Sequence, residues 1–358
     1  MFSFKVLKKK NQARAGEIQT PHGIIKTPVF MPVATQSTIK ALTFGQLETC
    51  SPQIILSNTY HLHLRPGEAL IHQAGGLHKW TNYHKPFLTD SGGFQVFSQS
   101  RLGKCKINDN GAEFIDNIDG KKYFISPEDS ITIQNKLGAD IIMAFDHCPD
   151  GGANYEATKE AMRRTHLWAE RCVSTHQNST IKPSHQALFP IVQGGIFKDL
   201  REESAKFITS LDAPGFAIGG VSVGESRDDI DEIVKFTAPL LPEDKPRYLM
   251  GIGTKEDIVK AIEAGIDMFD CVMPTRIARH GAFFDANGDK QLIKSARYQN
   301  DFNPLVEGCR CYTCQNHSKA YVRHLFRVHE SVAGSLLSMH NLTYLIDLTD
   351  KIRDEILQ

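Results

Sequence analysis

The stretch Asp267-Met268-Phe269-Asp270-Cys271-Val272-Met273-Pro274-Thr275-Arg276 ends an apolar run in a carboxylate, breaks the chain at Pro274 and follows with a cation. An aspartate at the end of a strand-like run is partly desolvated yet reachable from a cleft, a setting that suits a nucleophile or a base. A lone strand-end aspartate serves equally well as a cap for loop amides, so its neighbours in space have to decide. This run is the last of eight of its kind. The others are Pro28–Thr35, Ile54–Tyr60, Pro86–Ser91, Ala139–Asp146, Ala187–Gly194, Phe216–Val221 and Arg247–Gly251. Helical spacing of apolar residues marks several intervals: Pro127–Leu137, Tyr155–Gln177, Asp199–Leu211, Asp229–Ala238 and Lys255–Ala264. Alternating strands and helices imply a parallel sheet. Eight units favour an α/β fold of the closed (β/α)8 TIM-barrel type, with an open doubly wound sheet as the other architecture the pattern allows.

In a barrel the chemistry gathers at the carboxyl ends of the strands. The polar residues there form one set: Asn58, Asp90, Asp146, Gln193 and Asp270, with glycines at 194, 195, 219, 220 and 251. Three carboxylates from three strands would converge on one mouth, which turns Asp270 from a cap into a catalytic candidate. Two intervals interrupt the βα rhythm as hairpins inserted into it. One is Ser98–Phe124; the other is Gly281–Tyr298, with Asn287-Gly288 as a candidate type I′ turn. A helical tail runs from about Ser318 to Leu357. The expected division is a catalytic barrel over 1–280 and a zinc-binding subdomain with C-terminal helices over 281–358.

The chain has 358 residues, with 41% hydrophobic and 23% charged residues, the composition of an ordinary globular protein. No apolar stretch approaches the ~20 residues of a membrane span. At the start, Phe2, Phe4, Val6 and Leu7 precede three lysines, the reverse of a secretory signal, so a cytoplasmic location is expected. Lys+Arg and Asp+Glu both number 41. With no net charge to attract nucleic acid, an RNA partner needs a local basic patch. Arg276, Arg279, Lys290, Lys294 and Arg297 offer one.

Of eight cysteines, Cys50, Cys105, Cys148, Cys172 and Cys271 are scattered through a chain with core enough to need no disulfides. Cys309-x-Cys311-x-x-Cys314 is different: three thiolates on one tight turn suit tetrahedral Zn²⁺. His317, His324, His329 and His340 are all available as the fourth ligand. Three thiolates and a histidine close the coordination shell, so the metal is expected to clamp the tail rather than to catalyse.

Several segments together resemble the tRNA-guanine transglycosylases. They are Thr89-Asp90-Ser91-Gly92-Gly93-Phe94-Gln95, Val192-Gln193-Gly194-Gly195, Tyr248-Leu249-Met250-Gly251, Phe269–Arg276, and the cysteine cluster with Ser338-Met339-His340-Asn341-Leu342. The resemblance spans about Pro21 to Leu348 in the family's order and spacing, and chain length fits the bacterial form. It implies a (β/α)8 barrel with a zinc subdomain, acting commonly as a homodimer. The implied reaction exchanges the wobble guanine of G-U-N anticodon tRNAs (Asp, Asn, His, Tyr) for a 7-deazaguanine in queuosine biosynthesis. By motif, Asp270 is the expected nucleophile and Asp90 the general acid/base. Asp146, Gln193, Gly220 and Ser91 are expected to bind the base, with Asn58 in support and Phe94 and Met250 enclosing the ring. Arg276 and Arg279 are expected to grip the anticodon loop. The match selects His340 to join Cys309, Cys311 and Cys314 around one structural Zn²⁺.

The sequence departs from the family's bacterial pattern at His147, where Glu is usual, at Val221, where Leu is usual, and at His280, where Asn is common. His147 and Val221 bear on the exocyclic amine of the incoming base. Cys148 and Val223 still resemble the bacterial pocket, so 7-aminomethyl-7-deazaguanine is the expected base and queuine the alternative. A non-catalytic tRNA-binding partner subunit on the same fold would lack the nucleophile that Asp270 supplies. A carbohydrate hydrolase would have no use for the zinc tail.

Overall fold

The structure is a computed structural model that describes residues 2–93, 105–116 and 120–358. The eight runs form a parallel barrel: Val29–Ala34, Ile55–Ser57, Phe87–Thr89, Ile141–Met143, Ala187–Phe189 continued by Ile191–Val192, Phe216–Ile218, Arg247–Leu249 and Met268–Cys271. The eighth strand pairs with the first, Met268 with Val29 and Asp270 with Met31, which rules out the open sheet. The fifth run is read in the sequence as one strand but is split at Pro190. Proline has no N–H to give to a ladder. Ala187–Phe189 therefore pairs with the fourth strand, and Ile191–Val192 with the sixth. The ring closes through the peptide chain at Pro190, whose carbonyl accepts from Ala217 N at 3.0 Å.

Both faces of these strands are buried, and this is why they read as continuous apolar runs. Met31, Val33, Leu56, Leu88, Met143, Phe189 and Met268 fill the interior, while Phe30 and Phe269 face the helical layer. The helices Pro127–Leu137, Tyr155–Asn178, Lys198–Thr209, Arg227–Thr237 and Lys255–Glu263 lie within two residues of expectation. Val332–Leu357 packs on Val29–Ala34 and Met273–Arg279 and so covers the seam between the last strand and the first.

An antiparallel sheet of Ser3–Lys10, Ala13–Thr20 and Gly23–Thr27, not foreseen from the sequence, plugs the amino-terminal end of the barrel. Ile18 and Ile25 enter the barrel core, and Phe2 meets Phe189 edge-on at 5.8 Å between ring centres. The alternation of Phe2, Phe4 and Val6 is that of a strand with one buried face.

The insertion expected as a hairpin over 98–124 is a three-stranded sheet in its described part: Cys105–Asn108, Gly111–Ile115 and Lys122–Ile125. Residues 98–104 and 117–119 of that span lie outside the described residues. Ala282–Phe284 and Lys290–Leu292 pair as the second hairpin. Its turn is not type I′, which needs positive φ at both central residues. Only Gly288 takes it (φ 91°), and Asp285 N donates to Asp289 O at 2.9 Å across a three-residue loop. The tail is two helices, Lys319–Arg327 and Val332–Leu357, separated near His329, whose φ of 60° no helix continues. No helix of the described residues is long and apolar enough to cross a membrane.

Candidate active site

Asp90, Asp146 and Asp270 all lie at the carboxyl ends of barrel strands, as the spacing of the runs predicts. Asp270 belongs to Met268–Cys271, the strand paired with the first, and its backbone register is fixed on both sides. Its Oδ1 accepts from Tyr248 Oη at 2.6 Å and from Gly251 N at 2.8 Å. Burial raises its pKa, and these two donors oppose the rise. Neither donor reaches Oδ2.

Asp90 follows the third strand. Thr59 N donates to its Oδ1 at 2.9 Å and Asn58 Nδ2 to its Oδ2. Asn58 also caps the helix Thr59–Leu64 by accepting from His61 N, so the cap fixes the side chain that holds Asp90. Burial is the main cause that pushes the Asp90 pKa up to about 7; the negative charge of Asp270 adds to it, as does that of Asp146. Asp270 and Asp90 therefore feel each other across one cleft. Asp90 keeps its proton towards neutral pH beside the charge of Asp270, an arrangement in which two carboxyls can divide the roles of acid and nucleophile.

Asp146 is buried beside them. Ser91 Oγ donates to its Oδ1 at 3.1 Å and Gln193 Nε2 to its Oδ2 at 2.8 Å. Burial lifts its pKa to about 6, against the pull of Gln193 and Ser91. A Cβ on Gly93 would stand 2.6 Å from Asp146 Oδ1, so the backbone can approach that carboxylate only at a glycine. Gly220, with φ of +62°, faces Gln193 at a distance that a Cβ would reduce to 2.1 Å from Oε1. That Oε1 is buried and has no hydrogen-bond partner among the described residues. A polar amide in that state is prepared for a ligand.

Met250 follows the seventh strand and packs against the barrel core at the mouth. Phe94, expected to enclose the ring from the other side, lies outside the described residues. Arg276 and Arg279 ride on the helix Met273–Arg279 directly after Asp270, Arg276 exposed and Arg279 half-buried. His147 turns towards the helix Tyr155–Asn178. Its Nδ1 is 3.0 Å from Arg164 Nη1, and its N–H donates to Thr165 Oγ1 at 3.0 Å. Burial, helped by Arg164, pushes its pKa down to about 4 and keeps it neutral.

Two residues of the site escaped sequence reasoning. Tyr248, fully buried within the barrel, supplies the shortest contact to Asp270. Arg201, also fully buried, donates to the carbonyls of Val192 (3.0 Å), Gly195 (2.8 Å), Gly219 (2.8 Å) and Gly220 (3.1 Å). It ties the two glycine turns of the mouth together. A signal was present: Arg201, Ser204, Ala205 and Ile208 form one buried stripe at i, i+3, i+4, i+7, and an arginine there needs buried acceptors.

The cysteine turn meets the last helix. Cys309, Cys311, Cys314 and His340 form a cluster able to hold a metal ion. His340 Nδ1 lies 3.7, 3.4 and 3.4 Å from the three sulfurs in that order. Tetrahedral zinc with bonds of about 2.3 Å to sulfur and about 2.0 Å to nitrogen sets such pairs about 3.6 Å apart, so the donor set fits. His340 Nε2 is 2.8 Å from Phe284 O, which keeps its proton there and turns Nδ1 to the sulfurs. The next residue, Asn341, accepts from Phe284 N (3.1 Å) and donates to Pro274 O (2.9 Å) and Ala282 O (3.2 Å). One turn of helix thus grips the metal cluster, the hairpin and the segment that carries Arg276. Of the four histidines that spacing left open, the structure brings His340 alone into the cluster.

A sequence profile of the family described as queuine tRNA-ribosyltransferase matches residues 9–358. The chain is similar to the queuine tRNA-ribosyltransferase of Caldanaerobacter subterraneus subsp. tengcongensis, 53% identical over 99% of this chain and 93% of the relative. It is 52% identical to that of Synechococcus elongatus, over 99% and 91%, and 50% identical to that of Bacillus licheniformis, over 97% and 90%. With Asp90, Asp146, Gln193 and Asp270 assembled at one barrel mouth, this chain belongs to the queuine tRNA-ribosyltransferase family, the tRNA-guanine transglycosylases, enzymes of the pentosyltransferase class.

Proposed function

We propose that this protein exchanges the wobble guanine of G-U-N anticodon tRNAs for a 7-deazaguanine by double displacement, with Asp270 as the nucleophile. The observation that carries the reading is the Asp270–Asp90 pair. One carboxylate is oriented by two neutral donors, and the other has its pKa raised to about 7 by burial and then by its neighbour's charge.

Asp270 attacks the ribose anomeric carbon as the bond to guanine breaks, and Asp90 gives its proton to the departing base. The ribose is then held as an ester on Asp270. The incoming base loses its proton to Asp90 as it displaces the ester, and the original anomeric configuration returns, as in a retaining glycosidase resolved by a base instead of water. One glycosidic bond replaces another, so no external energy source is needed. The base must leave the anticodon stack to reach this pocket. Asp146 accepts from its donor edge, the second N–H of Gln193 Nε2 and the Gly220 amide donate to its carbonyl, and Ser91 holds Asp146 in place. Phe94 and Met250 enclose the ring, and Arg276 and Arg279 hold the anticodon phosphates. Cys309, Cys311, Cys314 and His340 would hold one Zn²⁺ in a closed shell, a structural role with no open position for substrate.

7-Aminomethyl-7-deazaguanine is the proposed incoming base, with queuine the alternative. Cys148, buried near Asp146, and Val223 support the smaller base, since they resemble the family's bacterial pocket. The division into a barrel over 1–280 and a zinc subdomain over 281–358 belongs to the same reading, as do homodimerisation, which rests on the family resemblance, and a cytoplasmic location, which rests on the order of apolar and basic residues at Phe2–Lys10. Labelled guanine should enter a G-U-N tRNA with the wild-type protein and not with Asp270→Ala. An active Asp270→Ala protein would overturn the mechanism. Competition between the two bases on the purified enzyme decides the substrate.

A further inference from the structure

We propose a second divalent-metal site at the amino-terminal end of the barrel, opposite the active-site mouth, with His22, Asp140 and His185 as its protein ligands. Each offers one donor atom, and the three atoms lie within 4.8 Å of one another. They come from three segments far apart in sequence. His22 sits in the turn between Ala13–Thr20 and Gly23–Thr27; Asp140 and His185 precede the fourth and fifth barrel strands.

Hydrogen bonding among the described residues serves Asp140 and His22 but leaves His185 Nε2 unmatched. The Asp140 side chain is fully buried; its Oδ1 lies 2.7 Å from His22 Nδ1, and its Oδ2 accepts from Phe87 N at 3.0 Å. His185 Nε2 is buried and has no hydrogen-bond partner among the described residues. A buried imidazole nitrogen left unmatched is costly, and this imidazole lies beside a buried carboxylate and a second imidazole. A metal ion would accept its lone pair and neutralise Asp140 in one step. His78 stacks on His22 at 3.4 Å between ring centres and fixes that ring, and His78 Nε2 lies 3.3 Å from Asp140 Oδ2.

Two imidazoles and a carboxylate are the donor set of zinc and its first-row neighbours rather than of Mg²⁺ or Ca²⁺. His22 and His185 are each partly exposed, which gives an ion a way in. Bound there, the metal would staple the amino-terminal sheet to the floor of the barrel. The cluster shares no residue with Cys309, Cys311, Cys314 and His340.

The test is metal content of the full-length protein after equilibration with Zn²⁺ and gel filtration. Wild type should retain about two equivalents per chain, His185→Ala about one, and Cys309→Ser about one. Excess Zn²⁺ should raise the melting temperature of metal-depleted wild type in two steps and that of His185→Ala in one. His185→Ala should keep wild-type guanine exchange, which shows that it folds. Wild type that never exceeds one equivalent, or His185→Ala that keeps two, would overturn the site.

Discussion

Asp267 and Asp270 lie three residues apart at opposite ends of one barrel strand, and they face opposite fates. Burial raises the pKa of both. At Asp267 a charge opposes it: Arg14 Nε donates to Oδ1 at 2.9 Å, Arg14 Nη2 contacts Oδ2, and Arg247 N adds 2.7 Å to Oδ2. At Asp270 the opposing donors, Tyr248 Oη and Gly251 N, are neutral. A buried carboxylate matched by an equal charge is locked into the fold. One held only by neutral donors keeps charge to spend on a substrate. The floor of the barrel is built for stability and the mouth for reaction, the division expected of this fold.

Breaking the floor should give the largest stability effect. Asp267→Ala leaves Arg14 buried without its carboxylate and should cost about 3–5 kcal/mol in a denaturant titration. A loss under 1 kcal/mol would mean that Arg14 finds water once Asp267 is gone and that charge matching does not set the floor apart from the mouth. At the mouth, Tyr248→Phe removes one donor and little packing. Guanine exchange should fall about 10-fold, the worth of one hydrogen bond to a charged group. Because that bond lowers the Asp270 pKa, its loss should also move the acid limb of the rate profile to higher pH.

Asp146→Asn should separate stability from function. Its pKa of about 6 in the folded chain lies above the ordinary 3.8. The folded state therefore binds the proton more tightly, and ionising Asp146 costs stability progressively as pH rises from about 4 through about 6. At neutral pH the substitution should stabilise the protein by on the order of 1–3 kcal/mol while weakening base binding. Gln193 can turn its unpartnered Oε1 to the new amide, so no donor is left facing a donor. Arg276→Ala should have the smallest effect, lowering the slope of log affinity for tRNA against log salt by about one.

The barrel and the three aspartates were legible because strand-end polar residues follow apolar runs whatever the tertiary packing. So was the metal turn, whose ligands are close in sequence. The rest needed contacts that no local pattern encodes. Pro190 looks like any proline inside an apolar run until the sheet must bend there to close. Phe2 and Phe4 become a plug only because the barrel has an open floor. Tyr248 reads as one more apolar strand residue, and only the register of the seventh strand against the eighth turns its hydroxyl onto Asp270. Spacing alone left the fourth metal ligand open among four histidines, and only the family resemblance picked His340, because the choice depends on where the last helix crosses the cysteine turn.

The central claim is covalent capture by Asp270, and peptide mapping of the denatured enzyme–tRNA mixture tests it directly. Wild-type protein mixed with a G-U-N tRNA, denatured and digested with nuclease and protease, should carry the ribose adduct on the peptide containing Asp270, and Asp270→Ala should carry none. An adduct on the peptide containing Asp90, or one that persists in Asp270→Ala, would contradict the account.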